Sequence, residues 1–471
     1  MRVRRLIPTL LCVAAAVSGP GAARTLASAR QFTTVEDPTY LLGSEAVREQ
    51  TLSELQSLGV PAIRMTMYWQ DVAPSPDAAR APSFDVTNPG RYDWGSYGQL
   101  ADDVHAHGMR LLIAVTGPVP RWATKGAKDH LTDPIPARYS AFMTAVGRRF
   151  GADATAFSIW NEPNLVKFLA PQFARGGRAV SPGLYRSLFF AGYNGLRAAR
   201  VHVPILAGET APVGNPITVA PLRFVRGVLC LNAHYRPDAR CARLPANGWA
   251  THPYIRATFP TTLKDFGADD VPFGGVGRLV SALDRAAAAG MVSRNLPVYL
   301  TEFGVESYPN TIAGVPLARQ SDYRSIAEYL AYLSPRVASF SQYLLADSPP
   351  APGPPAESFQ FQTGLYLYAG HTPKPSYDSF RLPMVARRHG SKVSLWGLVR
   401  PARAAHSGGV VTVLSADRGQ TTDRVLLRAR YGSSGAWTAA ASYQPGRHWE
   451  VRWTNSQGLT FAGPPTAAYA F

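Results

Sequence analysis

Cysteine is nearly absent from this chain. Three occur in 471 residues, and Cys12 lies in the amino-terminal segment, leaving Cys230 and Cys241 in the body of the protein. Neither has a partner at metal-ligand spacing, so no thiolate metal site is expected. In an exported chain one close pair predicts a single Cys230–Cys241 disulfide; in a reducing compartment the pair would be two buried thiols. Long apolar runs are missing too. The run from Leu6 to Val17 falls well short of the roughly 20 residues that span a bilayer, and no later stretch is long and apolar enough. Arg2, Arg4 and Arg5 precede that run and Ala27-Ser28-Ala29 follow it, the layout of a cleavable secretory signal over residues 1–29. The protein is therefore expected to be secreted, with an uncleaved anchor as the competing reading.

Acidic residues are scarce, 31 against 48 Lys and Arg, for a formal charge of +17, or +13 without Arg2, Arg4, Arg5 and Arg24. From Val385 onward, eleven basic residues face only Asp417, Asp423 and Glu450. Such a tail suits an anionic cell envelope or an acidic glycan. A general preference for Arg over Lys accounts for it equally well. The charge is dispersed and no recognition motif accompanies it, so nucleic-acid binding is not expected. His105 and His107 are two apart in a helix and face different ways, which disfavours a metal site. No metal or other cofactor is expected.

What is present is alternation. Short β-rich apolar runs alternate with amphipathic stretches between residues 30 and 384, the pattern of repeated βα units. Strands are predicted at 32–35, 60–67, 109–116, 154–160, 203–208, 248–252, 297–302 and 337–345. The intervening helices include 44–58, closed by Gly59, and 93–107, closed by Gly108. Eight such units predict an α/β (β/α)8 barrel over 30–384. A doubly wound open sheet is the alternative, but no Gly-rich phosphate turn follows the first strand. The Pro-rich run 348–355 reads as a loop after strand eight. Beyond it, short alternating strands such as 410–414, 424–430 and 448–453 predict a small β-sandwich accessory domain over 385–471.

Two strand ends carry carboxylates. Phe157-Ser158-Ile159-Trp160 runs straight into Asn161-Glu162-Pro163, and Val298-Tyr299-Leu300-Thr301 runs into Glu302-Phe303-Gly304. Barrel enzymes place catalytic groups at the C-terminal ends of strands. A pair of carboxylates there is the equipment for glycosidic cleavage: one protonates the leaving oxygen, the other meets the anomeric carbon. A lone strand-end Glu is more often a surface residue, so the weight rests on the pair.

With these motifs in view, the segment from roughly 40 to 380 resembles glycoside hydrolase clan A. Asn161-Glu162 resembles the clan's strand-four acid/base motif, and Glu302 its strand-seven nucleophile. Arg64 is similar to the strand-two Arg that hydrogen-bonds the nucleophile, and Gly248-Trp249-Ala250-Thr251-His252-Pro253-Tyr254 to the strand-six motif with its His and Tyr. The resemblance is nearest the β-xylosidase/α-iduronidase and endoglucanase/mannanase branches. It implies a retaining glycosidase acting on a β-linked oligo- or polysaccharide. In that reading Glu302 attacks, Glu162 is general acid/base, Asn161 meets the 2-hydroxyl, His252 and Tyr254 line the site, and Trp69 and Trp122 stack on sugar rings. The family's strand-eight Trp is missing from Phe340-Ser341-Gln342-Tyr343-Leu344-Leu345; Tyr343 is the substitute expected there. That departure is the one feature favouring the alternative, a glycan-binding or cell-envelope protein without turnover on the same barrel. Glu306, just beyond the nucleophile, is expected to be a solvated loop carboxylate.

Overall fold

The computed structural model describes residues 31–349, 361–368, 370–421 and 424–471. The expected signal 1–29 and most of the Pro-rich loop lie outside the described residues. Among those described, no helix is long and apolar enough to cross a membrane.

Eight parallel strands close in sequence order: β1 (Phe32–Glu36), β2 (Ala62–Tyr68), β3 (Arg110–Thr116), β4 (Ala154–Ile159), β5 (Ile205–Thr210), β6 (Gly248–Thr251), β7 (Val298–Leu300) and β8 (Val337–Tyr343). Val35 sits opposite Gln342, which brings β8 back to β1. A helix follows each strand: α1 (Glu45–Ser57), α2 (Gly95–Ala106), α3 (Pro136–Phe150), α4 (Ser181–Ala198), α5 (Pro221–Val228), α6 (Val276–Ala288), α7 (Leu317–Leu333) and α8 (Pro375–Arg381). The chain therefore has the (β/α)8 barrel expected of it. The strands read as continuous apolar runs because both faces are covered, by barrel interior and by helices; Leu111 to Thr116 is buried throughout. The helices show their inward stripe instead. In α3, Tyr139, Phe142, Met143, Val146 and Phe150 are buried at helical spacing, behind Pro136 in the first turn.

The second layer system is a small β-sandwich. Its strands are β9 (Met384–His389), β10 (Lys392–Leu398), β11 (Gly409–Ala416), β12 (Arg424–Tyr431), β13 (Ala436–Ser442), β14 (His448–Thr454), β15 (Thr460–Ala462) and β16 (Thr466–Tyr469), with α9 (Arg400–Ala404) between β10 and β11. Leu395, Val411, Val413, Trp437, Trp449 and Val451 form its own core. Polar contacts weld it to the barrel. The buried Arg400 guanidinium donates to both Glu328 oxygens at 2.7 Å and to the Phe380 carbonyl at 2.7 Å, and Tyr469 Oη donates to Asp322 at 2.7 Å. Gly59, at φ +80°, is required on two counts: the turn after α1 needs the left-handed conformation, and a Cβ there would lie 2.5 Å from the Arg400 carbonyl carbon. Helix α9 thus presses on the N-terminal end of the barrel. The C-terminal ends of the strands stay free of it.

Candidate active site

Side chains from β1, β2 and β5, and from the residues just past β4, β6 and β7, meet in one polar cluster at the C-terminal end of the barrel. Arg64 on β2 is its hub and is wholly buried. Its Nη1 donates to Glu302 Oε1 at 2.9 Å and to Glu36 at the end of β1; its Nη2 donates to Asn161 Oδ1 at 2.9 Å and to Glu209 Oε2 at 3.2 Å. Burial alone would lower the Arg64 pKa, but Glu36, Glu209 and Glu302 hold it well above the ordinary value. Glu36 is pushed up by burial in spite of Arg64 and accepts from Thr66 at 2.6 Å.

Glu302, just past β7, receives a second donor: Tyr254 Oη at 3.0 Å from Oε2. Glu162, just past β4, is held by His252. The imidazole Nδ1 stands 3.0 Å from Glu162 Oε1 and 3.4 Å from Glu302 Oε2, while Nε2 is 2.6 Å from Glu209 Oε2. A carboxyl oxygen lies against each ring nitrogen, an arrangement that suits a doubly protonated ring. Burial alone would lower the His252 pKa, but Glu302, Glu162 and Glu209 raise it to about 10. One oxygen of Glu162 and one of Glu302 lie within 4.8 Å of each other. Their side chains are 15% and 10% exposed, so a substrate entering the barrel mouth reaches both.

Local backbone makes this aim possible. The β5–β6 register slips between Gly208 and Thr210, so Glu209 is the extra residue of a bulge, and its φ is +52°. A bulge re-aims a side chain; here the carboxylate turns into the barrel. Trp160 at φ +72° and Glu162 at φ +39° end β4 in the same uncommon region. Such conformations persist where surrounding structure over-determines them, and they concentrate at functional sites.

Glu162, His252 and Glu302 are also the kind of trio that can hold a metal ion. Their setting opposes it. His252 Nδ1 is already shared between the two carboxyl groups, and Arg64 and Tyr254 already donate to Glu302, so a cation would displace these contacts and meet a buried guanidinium.

Two expectations are corrected. Trp69 and Trp122 do not line the cleft. Trp69 is fully buried and stacks on Phe142 at 4.8 Å with 4° between planes, while Trp122 packs edge-on against it at 5.7 Å. They are core between barrel and helices. Trp69→Ala is expected to cost about 3–5 kcal/mol through the cavity it leaves, read by chemical denaturation, with the KM for any substrate unchanged; Trp69→Phe keeps the stack and most of the stability. Glu306, in turn, is no solvated carboxylate. It accepts the Gln362 N–H at 2.7 Å, and burial lifts it from 4.5 to about 7. A carboxyl raised in the folded state supports the fold at low pH and withdraws that support as pH rises through about 7. Glu306→Gln is therefore expected to match the wild-type stability at pH 5 and exceed it at pH 8, on the order of 1–3 kcal/mol, in paired melts.

Tyr343 ends β8 beside Tyr254, ring centroids 6.1 Å apart, and Phe361 closes a three-ring cluster at 4.9 Å from Tyr343 and 5.8 Å from Tyr254. Phe361, 37% exposed, is the open ring of the three. Arg121 is spent on loop carbonyls, those of Ala127 and Asp77. Cys230 and Cys241 are joined in a disulfide, away from this cluster.

No family model matches the chain, and no curated protein matches it in sequence. Its fold is similar to that of a family 39 glycoside hydrolase from the gut symbiont Bacteroides cellulosilyticus WH2, with a TM-score of 0.54 at 14% identity over 89% of this chain and 82% of that one. It is similar also to a glucosidase from Croceicoccus marinus, with a TM-score of 0.53 at 10% identity over 90% and 95% of the two chains. At these identities the likeness is one of fold.

Proposed function

We propose that this protein is a retaining glycoside hydrolase of clan A, exported from the cell, that cleaves a β-linked glycan by double displacement. The observation that carries the reading is the pair Glu162 and Glu302, facing each other across the barrel mouth with oxygens within 4.8 Å. That spacing supports direct attack on the sugar, since inversion needs carboxyl groups roughly 6.5–9.5 Å apart to seat a water between them. The similarity of fold to two glycosidases supports it further.

In the first step Glu302 attacks the anomeric carbon while Glu162 gives its proton to the departing glycosidic oxygen. Arg64 and Tyr254 donate to one Glu302 oxygen each and hold the carboxyl group in position for this. In the second step Glu162 takes a proton from water, the water oxygen bonds to the anomeric carbon, and Glu302 leaves as carboxylate. Asn161 has its oxygen committed to Arg64, which directs its amide N–H groups elsewhere; we assign them to the sugar 2-hydroxyl, a contact that strengthens in the transition state. Phe361 and Tyr343 offer an aromatic wall in place of the missing Trp. The disulfide and the amino-terminal segment support export, and the basic sandwich supports contact with an anionic envelope.

The test is a panel of aryl β-glycosides offered to the mature protein and to Glu302→Gln, with the first-formed anomer read by NMR. Release of the β-anomer from one sugar, abolished in Glu302→Gln, is expected. First release of the α-anomer would mean inversion. No release from any glycoside or polysaccharide, with binding retained, would replace the enzyme with a glycan-binding protein.

A further inference from the structure

Glu209 has no part in the two steps above, yet it is fully buried at the end of β5, on a bulge, at a backbone angle that costs energy for a residue with a Cβ. Its Oε2 gathers three donors: His252 Nε2 at 2.6 Å, Thr301 Oγ1 at 2.7 Å and Arg64 Nη2 at 3.2 Å. Two of these reach the proposed nucleophile directly, Arg64 by hydrogen bond and His252 at 3.4 Å; Thr301 is its neighbour in the chain. Helix-side packing does not require a carboxylate here, because the group faces the barrel interior.

We propose that Glu209 is a positioning residue that fixes His252 as a permanent two-proton donor, so that the ring holds Glu162 and Glu302 in place and never carries protons between them. The inference rests on the glycosidase reading for the roles of those two glutamates. A neutral imidazole would have one bare nitrogen. If Nε2 lost its proton, its lone pair would face the Glu209 anion; if Nδ1 lost its proton, its lone pair would face Glu302 at 3.4 Å and would draw on the proton that Glu162 needs for the leaving oxygen. The first arrangement is repulsive and the second takes the general acid's proton, so Glu209 opposite the other two carboxyl groups favours the doubly protonated ring. The charged groups around the ring are Glu162 from the end of β4, Glu209 from β5 and Glu302 from the end of β7. Arg64 of β2 stands one step behind, through Glu209 and Glu302, and Tyr254 follows on the same segment. Burial raises Glu209, but Arg64 and His252 outweigh it and bring its pKa down to about 2, so it remains an anion throughout the working range.

Two readouts test this. The first is 15N NMR of His252 in the full mature chain, assigned by loss of its signals in His252→Asn. Wild type is expected to keep both ring protons from pH 5 to pH 8. Glu209→Gln, which keeps an acceptor but not the charge, is expected to lose one within that range. The second is the pH profile of kcat/KM on the aryl glycoside the wild type cleaves fastest. Wild type shows no limb from this ring below pH 8. Glu209→Gln gains one, its activity falling about tenfold per pH unit above the new midpoint as the imidazolium deprotonates, and Glu209→Asp moves the limb back towards higher pH. A residue serving only the fold would scale activity equally at every pH. A singly protonated His252 in wild type at pH 7, or a Glu209→Gln that keeps both protons to pH 8, overturns the proposal. Should Glu209→Gln fail to fold, the wild-type spectrum and Glu209→Asp still decide. Should no glycoside be cleaved, the NMR result stands by itself, and only the glycosidase reading falls.

Discussion

Arg64→Ala is expected to be the most damaging single substitution in the barrel, abolishing measurable turnover and lowering the thermal midpoint on the order of 5–10 °C. The guanidinium is fully buried and touches Glu36, Glu209 and Glu302. Removing one partner of a buried ion pair typically costs about 3–5 kcal/mol, because the remaining charge is left without compensation; here three carboxylates lose it together. They respond by taking up protons. A protonated Glu302 is no nucleophile, so activity fails for an electrostatic reason beyond the lost geometry. The two consequences diverge with pH. As pH rises through the elevated carboxyl pKa values the nucleophile ionises and activity recovers in part, while the same ionisation reintroduces unpaired buried charge and stability falls. Arg64→Lys should recover more stability than turnover, since one ammonium cannot span four acceptors held by a planar fork. A variant at Arg64 with wild-type melting and a rate within threefold would show that Arg64 is not the hub of the site.

The sequence displayed the barrel well and the hub poorly, for one physical reason. In a barrel the apolar part of each strand is readable because both faces are covered, and every strand was located to within two or three residues of where it lies. The ends are where that signal stops. Reading β1 as 32–35 and β5 as 203–208 halted one residue before Glu36 and Glu209, the two carboxylates that complete the Arg64 and His252 network. Both carry the signature that drew attention to Glu162 and Glu302, an apolar run ending in a carboxylate. For Glu209 the bulge hides it further, since an extra residue breaks the alternation that tells inward from outward. Trp69 failed in the opposite sense. It follows β2 directly, where a cleft aromatic would stand, but the short turn there rolls its ring onto Phe142 of α3, a contact set by helix packing and invisible in a window of sequence. Glu306 was missed because its carboxylate meets the Gln362 N–H, 56 residues away, a contact no window of sequence contains.

The second large effect separates the two glutamates by leaving group. Glu162→Ala is expected to slow hydrolysis of glycosides with poorly acidic leaving groups by about 10²–10⁴-fold, the usual contribution of a positioned general acid. For a dinitrophenyl glycoside the first step should barely change, because that leaving group departs as an anion without a proton. The variant then stalls at the second step, where water has lost its general base. Dinitrophenolate should appear as a burst equal to the enzyme concentration, followed by slow turnover, with the sugar trapped on Glu302. Glu302→Ala gives no burst with any leaving group, since the bond to the anomeric carbon never forms. The geometry makes the contrast sharp: Glu162 is held by a hydrogen bond from His252, so its removal leaves Arg64 and Tyr254 on Glu302 intact. Equal losses across all leaving groups in Glu162→Ala would mean that His252 transmits the damage to Glu302, and that the two carboxylates act as one coupled unit rather than in separate roles.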